Sequence, residues 1–380
     1  MIYLDNAATT FPKPKSVYKS LQNALINYGA NPGRSGHRMS AKTAAKVFET
    51  REMVSEMFGA SIENVVFTQN CTSALNMGLK GVLKQGDHII ISDMEHNSVL
   101  RPVHNLYEHG IITYSVAKVM EKDFDATEKN FRKLIRENTK MIACTHGSNL
   151  TGTVLPILKL GRLCKEKGIL FLVDAAQSAG VLPIDMTGMG IDFLCMPGHK
   201  GLYGAPGTGI FIAEKPDLVS PTIHGGTGNM SLQYVQPDSM PEKLESGTVN
   251  TPGIISLMKG LDYIEKNGMD NLYRYELKLA KLLYSELQNM KKITLYTQTP
   301  TKDYHLPVIC FNIDGMHSED VTDFLDSKGF CVRGGYHCAA LTHAKLSTEN
   351  IGAVRASFSG FNTSVHVKKL VNTLHLLTKN

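Results

Sequence analysis

The stretch "MIACTHGSNLTGTVLPILKLGRLCKEKGILFLVDAA", residues 141–176, contains two strand patterns with a helical pattern between them. The apolar runs "MIACTH" and "LFLVDA" are short and bounded by polar turns, which is typical of strands that are buried on both faces. The segment "LPILKLGRLCKEKG" between them has the periodicity of a helix. Because a strand, a helix and a second strand in succession form a crossover unit, this stretch predicts a parallel sheet.

The same alternation extends outward, from about residue 16 to residue 213. Further apolar runs are "VVF", "HIIIS", "FLCMP" and "GIFIA"; helical patterns include "SVYKSLQNALINY" and "SAKTAAKVFETREMVSEMF", the second with Ser40 as its expected N-cap. After residue 252 the pattern changes to that of a smaller α+β unit. We therefore predict an α/β fold with a large domain over residues 15–252 and a small C-terminal domain over residues 253–380, on which the N-terminal segment 1–14 packs.

The composition is that of a globular protein and excludes several classes of function. Of the 380 residues, 42% are hydrophobic and 20% are charged. The 40 Lys and Arg and the 35 Asp and Glu are scattered, which argues against binding to nucleic acid or to a membrane surface. No apolar run is as long as a bilayer span, and "MIYLDNAATT" lacks a signal pattern, so we expect a cytoplasmic protein. The seven cysteines lack the spacing of a disulfide framework and are expected to be reduced.

Two strand ends carry residues that favour a particular cofactor. Asp174 ends the run "LFLVD", Gln177 follows three residues later, and Lys200 follows "FLCMP" in the turn "GHKGLYG". An aspartate in this place, taken alone, is more often a helix cap. However, the carboxyl ends of parallel strands meet at one edge of a sheet. A lysine that can form a Schiff base and an acid that can keep a ring nitrogen protonated together favour pyridoxal 5′-phosphate (PLP).

Further polar residues lie at other turns between a strand and a helix. In "FTQNCTSALN" the free N–H groups around Cys71 and Thr72 predict an anion site, with an ordinary N-cap as the alternative. The turns "MEHNS" and "HGSNLTG" contain His96 and Asn149. A lone histidine is more often structural, but an imidazole can also stack on a pyridine ring and transfer protons.

One cysteine and two arginines complete the candidate site. Cys338, in "VRGGYHCAALTH", follows two glycines and precedes small residues, which indicates an accessible loop. A metal site made of His337, Cys338 and His343 is disfavoured, because no second cluster supplies the remaining ligands. Arg355, in "AVRASFS", is a candidate for binding the α-carboxylate of an amino acid, and Arg333 is expected to orient the loop of Cys338. Four cysteines in apolar patterns are interpreted as small buried residues: Cys144, Cys164, Cys195 and Cys310.

The motifs occur in an order that resembles the cysteine desulfurases among the class V aminotransferases. They are, in chain order, "YLDNAATT", "EH", "HGSNLTG", "VDAAQSAG", "GHKGLYG", "SGTVNTPG", "RGGYHCA" and "RASFSGFNT". The resemblance covers essentially the whole chain and implies the fold type I of PLP enzymes, with a mostly parallel seven-stranded sheet. It also implies roles for the site residues: Lys200 forms the Schiff base, Asp174 pairs with the ring nitrogen, Gln177 donates to the ring hydroxyl, His96 stacks on the ring, Thr72 and His199 bind phosphate, and Thr248 reaches the phosphate of a neighbouring subunit.

The resemblance therefore implies a homodimeric PLP enzyme that converts L-cysteine to L-alanine and leaves a persulfide on Cys338. The short segment between Cys338 and Arg355 resembles that of the family branch whose members need a dedicated acceptor protein to turn over well, so the resemblance also implies such a partner. The alternatives are a selenocysteine lyase, another PLP-dependent lyase or transaminase of the same class, and a scaffold that has lost activity. One position departs from the family pattern, since Pro197 stands where a serine hydroxyl usually binds the phosphate.

Overall fold

The computed structural model of the chain describes residues 1–33 and 36–378. The α-helices in these ranges are, in chain order, α1 (Lys15–Asn27), α2 (Arg38–Phe58), α3 (Cys71–Val82), α4 (Asn97–Glu108), α5 (Phe124–Arg132), α6 (Ile157–Lys167), α7 (Met186–Met189), α8 (Thr251–Asn267), α9 (Met269–Leu287), α10 (Ser318–Ser327), α11 (Ala340–Leu346) and α12 (Ser364–Thr378). The strands are β1 (Ile2–Tyr3), β2 (Val65–Thr68), β3 (Asp87–Ser92), β4 (Ile112–Ala117), β5 (Thr139–Thr145), β6 (Leu170–Asp174), β7 (Phe193–Pro197), β8 (Gly209–Ala213), β9 (Ile293–Leu295), β10 (Val308–Ile313), β11 (Phe330–Cys331) and β12 (Val354–Ser357). None of these helices is both long enough and apolar enough to cross a bilayer.

Seven strands form the large sheet, in the order β2-β8-β7-β6-β5-β3-β4. Strands β3 to β7 pair in parallel, and β8 is antiparallel to both of its neighbours. Every residue of β6, β7 and β8 is buried, because helices cover both faces of the sheet. The predicted α/β fold with a mostly parallel seven-stranded sheet is confirmed.

The strand that the apolar runs did not indicate is β4. It lies at the edge of the sheet beside β3, and in its sequence "ITYSVA" only the first and last residues are buried. Its four middle residues are exposed or half-buried, so they need not be apolar. Its sequence therefore lacks the continuous apolar run by which the central strands were recognised.

The start of α2 differs from the expectation. The helix begins at Arg38, and its N-cap is His37, whose Nδ1 accepts a hydrogen bond from the Ser40 backbone N–H at 3.2 Å. Ser40 therefore lies in the first turn, and its prediction as the N-cap is wrong. The physical reason is that an imidazole nitrogen, like a hydroxyl or carboxylate oxygen, can accept from a free N–H at a helix start.

A second sheet lies in the C-terminal part, where β9, β10 and β12 form three antiparallel strands. The N-terminal strand β1 pairs in parallel with β11, and Asp5 forms a bridge with Ser357 in β12. Helix α8 instead packs its apolar side chains, among them Leu257 and Leu261, into the core on one face of the large sheet. The division of the chain near residue 252 stays a prediction.

The large sheet positions the candidate site through the carboxyl ends of four neighbouring strands. The turns that follow β3, β5, β6 and β7 carry His96, Asn149, Gln177 and Lys200. Since these strands are adjacent and parallel, their turns meet at one edge of the sheet. Residues that are up to about a hundred positions apart in sequence therefore line one pocket.

Candidate active site

Asp174 and Lys200 lie in the same pocket at the ends of two adjacent strands, and Cys71 joins them. The Asp174 side chain is 2% exposed, and its Oδ1 accepts from the Ala176 backbone N–H at 2.8 Å and from the Cys71 thiol at 3.6 Å. Burial raises the pKa of Asp174, and the Lys200 charge partly opposes this shift. Burial also lowers the pKa of Lys200, which increases the fraction of its amine that is neutral and nucleophilic.

The start of α3 forms the anion-binding end of the pocket. Asn70 caps the helix, since its Oδ1 accepts from the Ser73 backbone N–H at 2.9 Å. The first N–H groups of a helix have no acceptor within the helix, so they point to an anion site. Thr72 adds a hydroxyl, whose oxygen lies 2.8 Å from the Ser98 hydroxyl oxygen.

His96 is fixed by Ser98, a residue that the sequence reasoning did not single out. His96 is the N-cap of α4, and its Nδ1 accepts from the Ser98 backbone N–H at 3.0 Å. Burial, and then the charges of Lys200 and Arg333, lower the pKa of His96 to about 4. The neutral ring therefore carries its proton on Nε2, which makes it a hydrogen-bond donor. The sequence signal that could have indicated this contact is a serine two residues after a histidine at the start of a helix.

The N-terminal segment holds the turn of Lys200. The Thr10 hydroxyl donates to the Lys200 carbonyl oxygen at 2.6 Å, and the Lys13 amine donates to the His199 carbonyl oxygen. His199 lines the pocket, with its Nδ1 3.0 Å from the Thr9 hydroxyl oxygen, and burial followed by the Lys200 charge lowers its pKa to about 4. Sequence reasoning missed these contacts, because no local pattern connects residues 9–13 with residue 200.

Gln177 lines the same pocket, but one of its donors is already engaged. Its Nε2 donates to the Ala7 carbonyl oxygen at 3.0 Å. An amide nitrogen has two N–H groups, so the second remains for a ligand.

Cys338 is the exposed cysteine of the chain, and its loop is held at two points. The five cysteines Cys71, Cys144, Cys164, Cys195 and Cys310 are buried, and Cys331 is half-buried. The Cys338 carbonyl oxygen accepts from the Asn97 backbone N–H at 2.7 Å, and Asn149 Nδ2 donates to the His337 carbonyl oxygen at 2.7 Å. His337 and Cys338 have φ angles of 51° and 54°, a conformation that costs about 1 kcal/mol or more per residue and persists where the surroundings enforce it.

Arg355 is buried beside this loop with a side-chain exposure of 1%. Its Nη1 donates to the Asn149 carbonyl oxygen at 2.8 Å, and its Nη2 lies 2.6 Å from Asp5 Oδ1. Arg333, which is half-buried, pairs with Arg355 through the backbone of both residues. Asn149 therefore contacts both the Cys338 loop and the arginine, and the two halves of the candidate site meet at this residue.

Two hydroxyl groups of the expected phosphate site are missing from the pocket of Lys200. Thr248 does not line the pocket of Lys200; it lines a neighbouring groove, and its hydroxyl oxygen accepts from Asn31 Nδ2 at 3.1 Å. Pro197 does line the pocket, but a proline has neither a hydroxyl nor a backbone N–H to donate.

The donors and acceptors of the pocket fit PLP. A phosphate suits the start of α3 and the Thr72 hydroxyl, and an aldehyde carbon suits the Lys200 amine. Both hydrogen bonds to the Asp174 carboxylate use Oδ1, so Oδ2 is left for a proton of a ring nitrogen. Within the described residues, no group of three or more His, Cys, Asp and Glu side chains is arranged to hold a metal ion.

Comparison with known proteins gives matches over the whole chain. The family model described as Aminotransferase class-V matches residues 2–370. A probable cysteine desulfurase of Methanothermobacter thermautotrophicus is 34% identical over 98% of this chain and 94% of its own length. A cysteine desulfurase of Haloferax volcanii is 30% identical over 98% of this chain and 88% of its own length. The apo structure of a cysteine desulfurase from Thermococcus onnurineus NA1 superposes with a TM-score of 0.91 at 33% identity, covering 100% of this chain and 94% of the other.

Proposed function

The chain belongs to the class V aminotransferase family and, within it, to the cysteine desulfurases, and on this basis we propose that it converts L-cysteine to L-alanine with PLP as the cofactor and Cys338 as the sulfur acceptor. The observation that carries the proposal is the convergence of two groups at one sheet edge. One is the pair of Lys200 and Asp174 in the pocket; the other is an exposed cysteine whose loop is bonded to the turns of that pocket.

The residues around the pocket have defined roles toward PLP. The start of α3, Thr72 and His199 would bind the phosphate, and Asp174 would hold the proton of the ring nitrogen. Gln177 and the Nε2–H of His96 are donors for the remaining polar atoms of cofactor and substrate. When bound, PLP supplies an electron sink that stabilises negative charge at the substrate Cα. Lys200 Nζ would hold the cofactor and, once released from it, would take the proton from the substrate Cα.

Cys338 performs the sulfur transfer. Its thiolate attacks the sulfur of L-cysteine, and the bond between that sulfur and Cβ breaks. Cβ gains a proton, and Lys200 returns to Cα the proton that it took. L-Alanine leaves, and Cys338 retains the sulfur as a persulfide, so that the atoms and electrons of L-cysteine and one thiol are all accounted for. Arg355 binds the substrate carboxylate, and Asn149 holds the Cys338 loop against that arginine.

Two further parts of the proposal concern partners. Thr248 lies outside the pocket of its own chain, which supports a homodimer in which it completes the phosphate site of the neighbouring copy. The exposure of Cys338 supports the transfer of the persulfide sulfur to an acceptor protein. A cytoplasmic location stays a prediction.

Replacement of Cys338 by serine tests the proposal. Cys338→Ser should abolish alanine formation from L-cysteine, because the hydroxyl does not replace a thiolate as a nucleophile toward sulfur. PLP should still be attached at Lys200, as detected by mass spectrometry after borohydride reduction. The wild-type peptide that contains Cys338 should gain the mass of one sulfur atom after treatment with L-cysteine.

Cys331→Ser is the matched control, since Cys331 is half-buried in β11 and does not line the pocket of Lys200, and it should keep the activity. Alanine formation by Cys338→Ser at the wild-type rate would reject the desulfurase mechanism. It would favour a lyase or transaminase that needs no cysteine.

A further inference from the structure

Arg355 already has a carboxylate partner inside the chain. Asp5 Oδ1 lies 2.6 Å from Arg355 Nη2, and the two side chains are 20% and 1% exposed. Asp5 belongs to the N-terminal segment, and its backbone forms a bridge with Ser357 in β12, the strand that carries Arg355. The Arg355 guanidinium, which is expected to bind the carboxylate of an amino acid, is thus already paired with a carboxylate of the chain itself.

The hydrogen bonds of the Arg355 guanidinium show which of its nitrogens are engaged and which has no partner. Nη1 is bonded to the Asn149 carbonyl oxygen, Nη2 is bonded to Asp5, and the buried Nε has no acceptor among the described residues. A guanidinium binds a carboxylate most strongly through two parallel N–H groups. Asp5 accepts from only one nitrogen of Arg355, so the ion pair between them leaves the Nε–H without an acceptor. A carboxylate that binds side-on across Nη2 and Nε would satisfy this donor.

The two partners also differ in their freedom to move. Arg355 is enclosed and bonded to Asn149, whereas the Asp5 carboxylate has Arg355 as its only hydrogen-bond donor among the described residues and is partly open to water. An unpaired charge in a buried site is strongly unfavourable, so Arg355 needs a counterion whether or not substrate is present. Besides burial, the charge of Arg333 lowers the pKa of Arg355, and the charge of Arg355 lowers the pKa of Lys200. The three positive charges therefore favour the entry of a substrate carboxylate into the site.

We propose that Asp5 is an internal competitor for Arg355 and sets the affinity of the site for the substrate carboxylate. This inference rests on the proposed function of Arg355. Without substrate, Asp5 neutralises the buried guanidinium; when an amino acid binds, its carboxylate takes over this bond and Asp5 turns toward water. Asp5 thereby weakens substrate binding while it stabilises the substrate-free protein.

The test uses the PLP-loaded protein and L-alanine, the reaction product, which has the carboxylate but no thiol. In Asp5→Asn the competing charge is removed, so L-alanine should bind more tightly, by about tenfold or more if one hydrogen bond to a charged group is relieved. Isothermal titration calorimetry measures the affinity, and the KM for L-cysteine should fall in parallel. Asp326→Asn, an exposed acid on α10, is the control and should leave both values unchanged.

A second measurement applies even if Asp5→Asn lowers stability. L-Alanine should raise the melting temperature of Asp5→Asn more than that of the wild type, because the ligand supplies the missing counterion. Equal or weaker L-alanine binding by Asp5→Asn, or an equal or smaller rise in melting temperature, would overturn the inference and show that Asp5 orients the arginine instead. If Arg355→Lys binds L-alanine as well as the wild type does, the carboxylate site itself is misassigned and both proposals about Arg355 are wrong.

Discussion

Pro197 is the residue at which this chain departs most clearly from its expected phosphate site. It is buried at the end of β7, three residues before Lys200, and it lines the pocket. In the sheet it pairs with Gly209 of β8. A side chain at this position therefore reaches the pocket of Lys200 from a strand of the central sheet, so a serine here would place a hydroxyl beside the expected phosphate site.

Pro197→Ser should tighten the binding of PLP. A hydrogen bond to a charged group contributes about 1.5–3 kcal/mol, which corresponds to about tenfold or more in affinity. Titration of the apo protein with PLP, followed by absorbance, measures the change. Pro197→Ala, which removes the ring but adds no hydroxyl, is the control. Equal affinities for the serine and alanine variants would show that another group already occupies the place of the hydroxyl.

At the scale of elements, helix α9 supports the Lys200 turn through a buried acid. Glu276 of α9 is 4% exposed, and its Oε1 accepts from the Tyr203 hydroxyl at 3.2 Å. The Tyr203 backbone N–H donates to the Lys200 carbonyl oxygen at 2.9 Å, and Tyr203 has a φ of 59°. Burial raises the pKa of Glu276 from 4.5 to about 8, so the native protein holds it as a neutral acid at neutral pH.

This raised pKa predicts a loss of stability with increasing pH. Between pH 4.5 and about 8 the native state keeps a proton on Glu276 that the unfolded chain has released, so the free energy of unfolding falls across this window. The slope for one group is at most about 1.4 kcal/mol per pH unit. Glu276→Gln should remove this contribution, so its stability relative to the wild type should increase from pH 6 to pH 8.

Urea denaturation at pH 6, 7 and 8, at one protein concentration, measures the difference. The control is Glu286→Gln, on the exposed side of the same helix, which should shift all three values equally. A stability difference between Glu276→Gln and the wild type that does not change with pH would mean that Glu276 is ionised in the native protein.

For the whole molecule, the segment between the end of β8 and the start of α8 has an exposed apolar surface that agrees with the proposed homodimer. It exposes several large apolar side chains, which a stable monomer rarely leaves in water. Within four consecutive positions, Leu232, Tyr234 and Val235 are exposed by 97%, 107% and 73%. Thr248 follows in the same segment, which agrees with its proposed role at the phosphate site of a neighbouring copy.

The proposed homodimer can be tested by combining two defective chains. Lys200→Ala lacks the lysine, and Thr248→Ala should lower the affinity for PLP. If Thr248 acts on the other subunit, a mixed dimer contains one site with both residues intact and one site with neither. Mass spectrometry after borohydride reduction should then find one PLP per mixed dimer at the affinity of the wild type. No site with wild-type affinity in the mixed dimer, or a single-chain mass by light scattering, would contradict the shared site.

The sequence by itself determined the strands of the central sheet other than β4, and the place of Lys200 and Asp174 on it. Continuous apolar runs and helical periodicity are local patterns, and parallel strands bring their carboxyl ends together without further information. The accessibility of Cys338 and the burial of Cys144, Cys164, Cys195 and Cys310 followed from similar local patterns.

Only the tertiary structure decided which residues hold these groups in place. The bond of Ser98 to His96, the clamp of Thr10 on the Lys200 turn and the ion pair of Asp5 with Arg355 were not predicted. The last two join residues that are 190 and 350 positions apart. Local sequence patterns do not predict such pairs, because the packing of whole helices and strands sets their geometry. A buried charge is then neutralised by whichever counterion this packing places beside it.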